Sequence, residues 1–363
     1  MLFIGALVIF ILLFCLMLIF YKYLFDIVKY FNLNKKKYVK YIVLIISILL
    51  FYGSLVFMYM SKIGSVLGIF IIYTILISLI IYFVNIFLKK YKLWNKIYLF
   101  IPIIFSLIYT IYGIYNMTDI RVKEYNLKSD KLNNNYKIGL IADLHYGVSL
   151  KDNDLIKVCD EISKKDLDLI VLAGDIVDER TTKSQMKNAF KILGNIKTKY
   201  GVFYMYGNHD KNNYSRNKLY TTLELNDEIE KNNIKILEEE NILLNNDLTL
   251  IGRGYEVRKD INELLNDVDK STYVVLVDHI PQEYKNYKDN GINLELSGHT
   301  HAGQIFPLGI IQKTFNLNEL VYGIKENDSF TGIVTSGIAG WAIPIRTEKH
   351  SEYVVVNLKS NVN

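Results

Sequence analysis

The chain has 363 residues, enough for two domains, and 51% of them are hydrophobic, which is high for a soluble protein. Its formal net charge of +5 does not indicate nucleic-acid binding. Residues 1–118 hold 11 lysines and a single acid, Asp26, so 31 basic and 36 acidic side chains are left for the rest of the chain. The two cysteines, Cys15 and Cys159, imply no disulfide framework.

The first 118 residues are predicted to form an all-α transmembrane region of four helices. Four uncharged stretches each reach the ~20 apolar residues that cross a bilayer as a helix. They are Leu2–Tyr21, Tyr41–Met60, Ile63–Leu88 and Ile97–Thr118. The first has no basic residue before it and no small-x-small cleavage site, so it is interpreted as a retained anchor. The near absence of charge in these stretches favours an anchor over a transporter or a sensor.

The lysines between these stretches predict their orientation. The connections after the first and third stretches are rich in lysine, whereas the turn after the second has only Lys62. Basic short loops stay in the cytoplasm, so the N-terminus and everything after Thr118 are expected outside it. Basic residues between 121 and 131 favour the opposite orientation, but Glu124 and Asp130 lie among them. We therefore expect a multi-pass cell-membrane protein with an extracytoplasmic domain.

Residues 119–135 are polar and are predicted as a linker, with room for an edge strand at Arg121–Leu127. Residues 136–363 alternate seven short β-branched or aliphatic runs with segments of helical period. The helical segments lie near Asn153–Lys164, Thr182–Leu193, Lys218–Lys231 and Ile261–Val268. The stretch NIKILEEENILLNNDLTLIGRG is predicted as two or three consecutive antiparallel strands. Runs that are apolar on both faces indicate a layered α/β domain with a covered sheet.

Polar residues follow five of the predicted strands, at the ends where open α/β sheets bind ligands. The motifs are Asp143-Leu-His145, Asp175 with Asp178, Asn208-His209-Asp210, His279, and His299-Thr-His301. Any one of these residues alone would be interpreted as a helix cap or as a polar residue at the rim of the core. Together, however, the motifs concentrate carboxylate charge in one place, and they contain no lysine or arginine to pair with it. A pair of divalent cations would resolve this. Carboxylate, amide and imidazole ligands suit Mn, Fe or Zn better than Mg alone.

The spacing of the last motif, LSGHTHAGQ, fits this interpretation. Residues two apart in a turn can face the same way, while Gly298 and Gly303 relieve crowding of the backbone. His299 and His301 could therefore approach a two-metal centre from one loop, with one imidazole for each ion.

The ordered motifs, with GHTHAGQIFP and the closing GWAIPIR, resemble the calcineurin-like metallophosphoesterase superfamily and its membrane-associated YkuE-like bacterial branch. The resemblance implies a four-layer αββα sandwich. It also implies one metal on Asp143, His145 and His301, a second on Asn208, His279 and His299, Asp175 bridging both, and His209 beside the substrate as proton donor. Ala142 and Ala302 depart from the common family pattern at positions that are not ligands.

The expected activity is hydrolysis of a phosphate ester or pyrophosphate by attack of a hydroxide bound between two divalent metal ions. Membrane anchoring favours a lipid-linked or cell-envelope phosphate as substrate, and no nucleic-acid partner is expected. The alternative is a non-catalytic metal-binding sensor or scaffold domain, which would be expected to have lost ligands. Arg346 is a lesser candidate for a phosphate contact, Asp178 and Asp210 are expected to orient their neighbours, and His350 is expected on the surface.

Overall fold

The computed structural model describes residues 2–361, and the chain divides into two compact units. The helical unit comprises Met1–Ile114 with Ala342–Pro344, and the α/β unit comprises Tyr115–Trp341 with Ile345–Asn363. The helices of the first unit are α1 (Leu2–Tyr30), α2 (Val39–Met60), α3 (Lys62–Leu88), α4 (Lys92–Ile97) and α5 (Ile101–Thr118).

The four predicted membrane helices are confirmed. Among the described residues, α1, α2, α3 and α5 are long and apolar enough to cross a membrane. The helix α1 continues nine residues past the predicted end at Tyr21, and Lys22 pairs with Asp26 at 2.6 Å within this extension. The fourth membrane helix, α5, begins at Ile101, four residues after the predicted start at Ile97, which is instead the last residue of α4. Pro102 lies in the first turn of α5, where the missing N–H of proline is tolerated.

The α/β unit alternates strands and helices. In chain order it contains β1 (Arg121–Ser129), β2 (Tyr136–Ile141), α6 (Asp152–Ser163), β3 (Leu169–Ala173), α7 (Lys183–Leu193), β4 (Val202–Met205), α8 (Thr222–Lys231), β5 (Ile234–Ile236), β6 (Glu240–Leu244), β7 (Leu248–Gly252), α9 (Ile261–Leu264), β8 (Tyr273–Val277), α10 (Tyr284–Asp289), β9 (Leu294–Ser297), a 3-10 turn (His301–Gly303), α11 (Leu308–Thr314), β10 (Gly323–Asn327), β11 (Phe330–Val334) and β12 (Glu352–Ser360). Capping boxes begin two of the helices. Thr182 pairs with Gln185 at α7, and Thr221 pairs with Glu224 at α8.

The strands form two mixed sheets of six strands each. The first sheet has the order β1-β12-β2-β3-β4-β5, in which only β12 and β2 pair antiparallel. The second has the order β10-β11-β9-β8-β7-β6, in which the central pairs are parallel and the two outer pairs are antiparallel. The strand β1, within the segment predicted as a linker, lies at an edge of the first sheet in register with β12.

Three layers of buried apolar side chains lie between the helices and the two sheets, and their order shows the αββα arrangement. One layer lies between the first sheet and α6, α7 and α8, a second lies between the two sheets, and a third lies between the second sheet and α9 and α10. The alternation of a strand is visible in β12, where Val354 and Val356 face the second sheet while Tyr353 and Val355 face the helices. The predicted four-layer sandwich is therefore confirmed.

Two local predictions were corrected in part. Of the two or three consecutive antiparallel strands predicted from Asn233 to Gly254, two are present, because β6 and β7 form an antiparallel pair in the second sheet, whereas β5 joins the first sheet parallel to β4. The helix predicted near Ile261–Val268 ends at Leu264. Its continuation, Leu265 and Val268, is nevertheless buried in the outer apolar layer. Because Leu265 and Val268 are buried, the apolar residues of this segment have a helical spacing although the helix itself ends earlier.

Candidate metal centre

The predicted ligands follow the carboxyl ends of parallel strands from both sheets. From the first sheet they come two or three residues after β2, β3 and β4, and from the second they come two residues after β8 and β9. These residues are Asp143, Asp175, Asn208, His279 and His299. Backbone hydrogen bonds tie the neighbouring loops together, since the amide of Asp143 donates to the carbonyl of Gly174 at 3.1 Å. Both sheets therefore deliver polar side chains to one shared edge.

The backbone at this edge is held in a conformation that L-residues rarely adopt. The φ angles lie between +40° and +69° at Asp143, His145, Asp175, His299 and His301. Such positions cost ~1–3 kcal/mol each and persist only where surrounding contacts enforce them. Gly298 provides the space for one of these contacts, because a Cβ there would lie 2.5 Å from a carboxylate oxygen of Asp143. The glycine before His299 is thus required by close packing.

The first group of candidate ligands is Asp143, His145 and His301, all buried. Their donor atoms lie within 4.8 Å of one another. The Nε2 atoms of His145 and His301 face each other at 3.3 Å, and Nε2 of His301 lies 3.7 Å from Oδ1 of Asp143. Both lone-pair nitrogens and a carboxylate oxygen therefore point at one small space.

The second group is Asp175, His279 and His299, and its donor atoms also lie within 4.8 Å of one another. Asn208 completes it, because its Oδ1 lies 3.0 Å from Nε2 of His279 and 3.0 Å from Nδ1 of His299. The other ring nitrogen of His279 lies 2.8 Å from the carbonyl of Ala173. That contact directs Nε2 of His279 toward the group.

Asp175 joins the two groups. Its Oδ2 lies 3.6 Å from Nε2 of His145 in the first group and 3.2 Å from Nε2 of His279 in the second. Its Oδ1 accepts the backbone N–H of His209 at 2.9 Å. One carboxylate oxygen is therefore shared by both groups, as a bridging ligand requires.

Burial and neighbouring charges shift the pKa values of the pocket residues in opposite directions. Burial raises the pKa of Asp143 to about 6. Burial would lower the pKa of His279, but the charges of Asp175 and Asp143 outweigh it and raise the pKa to about 10. Burial and the charge of His279 lower the pKa of His299 to about 4. The pocket thus favours one cationic imidazole and disfavours a second, although two carboxylates lie in it.

The donor set fits divalent metal ions. Among the described buried atoms without a hydrogen bond are the Nδ1 atoms of His145 and His301, and their Nε2 atoms face each other across a gap. A cation in each group would bind the facing lone pairs and neutralise the carboxylates without protonating the imidazoles. Mixed imidazole, amide and carboxylate ligands suit Mn, Fe or Zn.

His209 lies beside the two groups, and its surroundings include a residue that the sequence did not single out. Its Nδ1 lies 2.8 Å from Oε2 of Glu179. Its ring centroid lies 5.3 Å from that of His145 and 5.7 Å from that of Trp341. Burial would lower the pKa of His209, but the hydrogen bond with Glu179 and the charge of Asp175 raise it. Glu179 lies in the Asp-Glu-Arg turn after β3, where neither a periodic pattern nor a motif spacing in the sequence indicated that it would contact His209.

Asp210 supports the loop that carries Asp175. Its carboxylate accepts backbone N–H groups of Asp175 at 2.8 Å, Ile176 at 2.9 Å, Val177 at 3.1 Å and Gly207 at 2.6 Å. Asp178 lies outside the two groups, with its Oδ2 3.4 Å from Nδ1 of His145. These contacts orient the neighbours of Asp210 and Asp178.

Arg346 is not positioned to contact a substrate phosphate. Its side chain is fully buried and donates to the carbonyls of His301 at 2.9 Å and Ala339 at 2.6 Å. The guanidinium therefore holds the loop of His301 from behind. His350 lies away from the two groups with a partly exposed side chain, 3.9 Å from Asp119.

Comparisons with known proteins agree with this geometry. Residues 136–303 match the calcineurin-like phosphoesterase family. An uncharacterized metallophosphoesterase of Helicobacter pylori is 32% identical over 66% of this chain and 64% of its own length. The uncharacterized metallophosphoesterase YkuE of Bacillus subtilis is 27% identical over 66% of this chain and 86% of its own.

A transmembrane protein with metallophosphoesterase domain from Danio rerio is 25% identical over 71% of this chain and 62% of its own length. The chain thus spans less than two thirds of the Helicobacter pylori and Danio rerio relatives. The four apolar helices and the similarity to proteins named as transmembrane indicate a membrane protein. The resemblance predicted from the motifs is confirmed: residues 136–303 match the calcineurin-like phosphoesterase family, and the chain is similar to proteins named metallophosphoesterases, YkuE among them.

Proposed function

We propose that the chain is a membrane-anchored phosphoesterase that hydrolyses a phosphate ester or pyrophosphate with two divalent metal ions. The observation that carries the proposal is the position of Asp175, whose Oδ2 lies within 3.6 Å of a ligand nitrogen in each group. Asp143, His145 and His301 would hold the first ion. Asn208, His279 and His299 would hold the second, and Asp175 would contribute to both.

The residues of the chain provide position and proton transfer. When bound, two divalent ions would supply Lewis acidity to a phosphate oxygen and a water of lowered pKa. The carboxylate of Asp175, which lies between the two groups, would offset the repulsion between the cations. His209 donates a proton to the leaving oxygen, with Glu179 fixing the ring through Nδ1 so that Nε2 is left for the substrate. Trp341 and Tyr214 flank the His209 ring and limit the access of water to it.

The membrane anchor supports a location and a substrate class for the catalytic domain. Residues 1–118 are the anchor and residues 136–363 are the catalytic domain, joined through residues 119–135. The lysine-rich connections after the first and third helices support an extracytoplasmic catalytic domain. Anchoring supports a lipid-linked or cell-envelope phosphate as the substrate. Protease treatment of intact cells tests this orientation: cleavage of the α/β unit supports it, and protection until the cells are lysed contradicts it.

The activity is tested with the purified full chain in detergent, loaded with Mn²⁺ and assayed on a phosphomonoester, a phosphodiester, a pyrophosphate ester and a lipid phosphate. Asp175→Asn and His299→Ala are expected to lower hydrolysis by more than ~100-fold, because loss of a mere supporting contact to a ligand costs about 10–100-fold. His350→Ala is the matched control, since His350 is the one histidine outside the cluster.

Thermal unfolding of each variant shows whether the domain still folds. Full activity in a folded Asp175→Asn or His299→Ala variant would contradict the assignment. A wild-type chain that binds metal but hydrolyses none of the four substrates would instead support the sensor or scaffold alternative.

A further inference from the structure

The α/β unit exposes a concentrated apolar segment next to the metal centre. Six large apolar side chains within residues 306–317 are exposed, and we call them the apolar ridge: Phe306, Leu308, Ile310, Ile311, Phe315 and Leu317. Phe315 is 70% exposed and Leu317 is 61% exposed. Elsewhere in the described part of this unit, exposed large apolar side chains are spread thinly along the chain. Such a concentration of exposed apolar side chains is typical of a binding surface.

The ridge is built on a fixed backbone. The helix α11 buries none of its own residues. The backbone N–H of Phe306 donates to the hydroxyl of Thr347 at 2.9 Å, and the N–H of Gly309 donates to the carboxylate of Glu348 at 3.1 Å. The chain is therefore held from behind while its apolar side chains point outward. This arrangement is expected of a surface that meets an apolar partner.

A cavity of about 630 Å³ lies at the base of the ridge. Its lining includes Phe306, Ile310, Leu320, Val321, Lys313 and Lys349. Ala302, which directly follows the predicted ligand His301, also lines it. The ridge and its cavity are thus continuous with the loop that carries the metal centre.

The covalent connection of the unit indicates what covers the ridge. The last turn of α5, a helix apolar enough to cross a membrane, already belongs to the α/β unit. There the Asn116 side chain donates to the carbonyl of Arg346 at 3.1 Å, and Ser351 donates to the carbonyl of Met117 at 2.8 Å. Only two residues separate Thr118 from β1, a reach of roughly 7 Å. A domain tethered so closely stays at the membrane surface.

We propose that the apolar ridge binds the surface of the lipid bilayer. Apolar side chains inserted at the boundary between headgroups and acyl chains contribute binding in proportion to the apolar area they bury, and Lys313 can remain among the headgroups. The consequence for substrate choice rests on the proposed phosphoesterase function. The metal centre would act on phosphate esters held in the membrane in preference to soluble ones.

The binding is tested with the full chain in phosphatidylcholine nanodiscs. A thiol-reactive, environment-sensitive fluorophore is attached at Phe315→Cys or at Leu317→Cys, in a background of Cys15→Ser and Cys159→Ala. Val257→Cys and Leu223→Cys are the controls, because these side chains are 73% and 69% exposed on the same unit but outside the ridge. The two ridge positions are expected to show blue-shifted emission and quenching by brominated acyl chains, and the controls to show neither.

Emission at both ridge positions that matches the controls would overturn the proposal. Blue-shifted emission without quenching by brominated lipid would also overturn it, since a second copy of the chain would then cover the ridge. If Phe315→Cys does not fold, Leu317→Cys decides alone. A separate assay compares rates on a vesicle-embedded and a soluble phosphate ester, and Phe315→Ser with Leu317→Ser should lower this ratio while Val257→Ser should not. Absence of all hydrolysis refutes only the phosphoesterase function, because the fluorescence result is independent of it.

Discussion

Three buried hydroxyls of the helical unit and the buried polar groups of the metal centre find their partners in opposite ways. In α2 and α3 the buried hydroxyls of Ser54 and Ser78 donate to carbonyls three residues earlier in the same helix, each at 2.8 Å. Thr74 donates to the carbonyl four residues earlier, also at 2.8 Å. These groups are satisfied locally, as a bilayer requires, and leave nothing to coordinate a solute. In the α/β unit, buried carboxylates and imidazoles converge from distant parts of the chain.

This difference in hydrogen bonding distinguishes helices that serve as an anchor from a unit that holds a reactive site. Local hydrogen bonds stabilise a helix wherever it lies, so they predict little function. The convergence of Asp143, Asp175 and five histidines concentrates buried charge and lone pairs that bound cations would stabilise. Variants that affect one kind of buried polar group and not the other therefore test this contrast.

The largest further effect is expected for His209→Gln in the α/β unit. Glutamine keeps the size of the side chain but cannot deliver a proton, so kcat should fall by ~10²–10⁴-fold, the usual contribution of a general acid. Metal content should stay the same because His209 is not among the predicted ligands. Steady-state rates and metal analysis of the same sample check both points. A variant that keeps the wild-type kcat would remove the proton-donor role.

A smaller effect is expected for Asp210→Asn. The amide would direct its NH₂ group at backbone N–H groups that the carboxylate now accepts, including that of Asp175 at 2.8 Å. Metal affinity should fall by about 10–100-fold, as for other residues that orient a ligand. Titration of activity against Mn²⁺ measures the change, with Asp227→Asn on α8 as the control. Unchanged affinity would show that the loop of Asp175 keeps its shape without Asp210.

The smallest effect is expected for Ser54→Ala in α2. It removes a hydrogen bond that lies entirely within the helix, so stability should change by ~1 kcal/mol or less. The rate of hydrolysis should stay at the wild-type value. Parallel measurement of thermal unfolding and activity in detergent checks this. A large loss of activity in a stable Ser54→Ala chain would show that the helical unit does more than anchor the domain.

The sequence predicted the elements whose signals are local. The seven β runs all form strands, because parallel strands covered on both faces are continuously apolar. The strand ends in turn indicated the ligand residues, since polar groups such as Asp143 and His299 directly follow apolar runs. The four membrane helices were predictable from length and lack of charge alone.

The remaining features depend on contacts between distant residues. Glu179 reaches His209 through the shape of a turn, and Arg346 reaches the carbonyl of His301 across 45 residues of chain. Neither contact leaves a period or a spacing in the sequence. The sheet that β5 joins was also not predictable, because a three-residue strand pairs wherever the preceding helix, α8, delivers it. The left-handed φ angles at the ligands likewise arise from packing around Asp143 and Asp175.

The central claim is that two divalent ions bind around Asp175, and metal stoichiometry tests it most directly. The purified full chain is stripped with a chelator, reloaded with Mn²⁺ or Zn²⁺, desalted and analysed by mass spectrometry for metal per chain. We expect two ions per wild-type chain, two in His350→Ala and fewer than two in Asp175→Asn. A folded wild-type chain that retains no metal, or an Asp175→Asn chain that retains both ions, would contradict it.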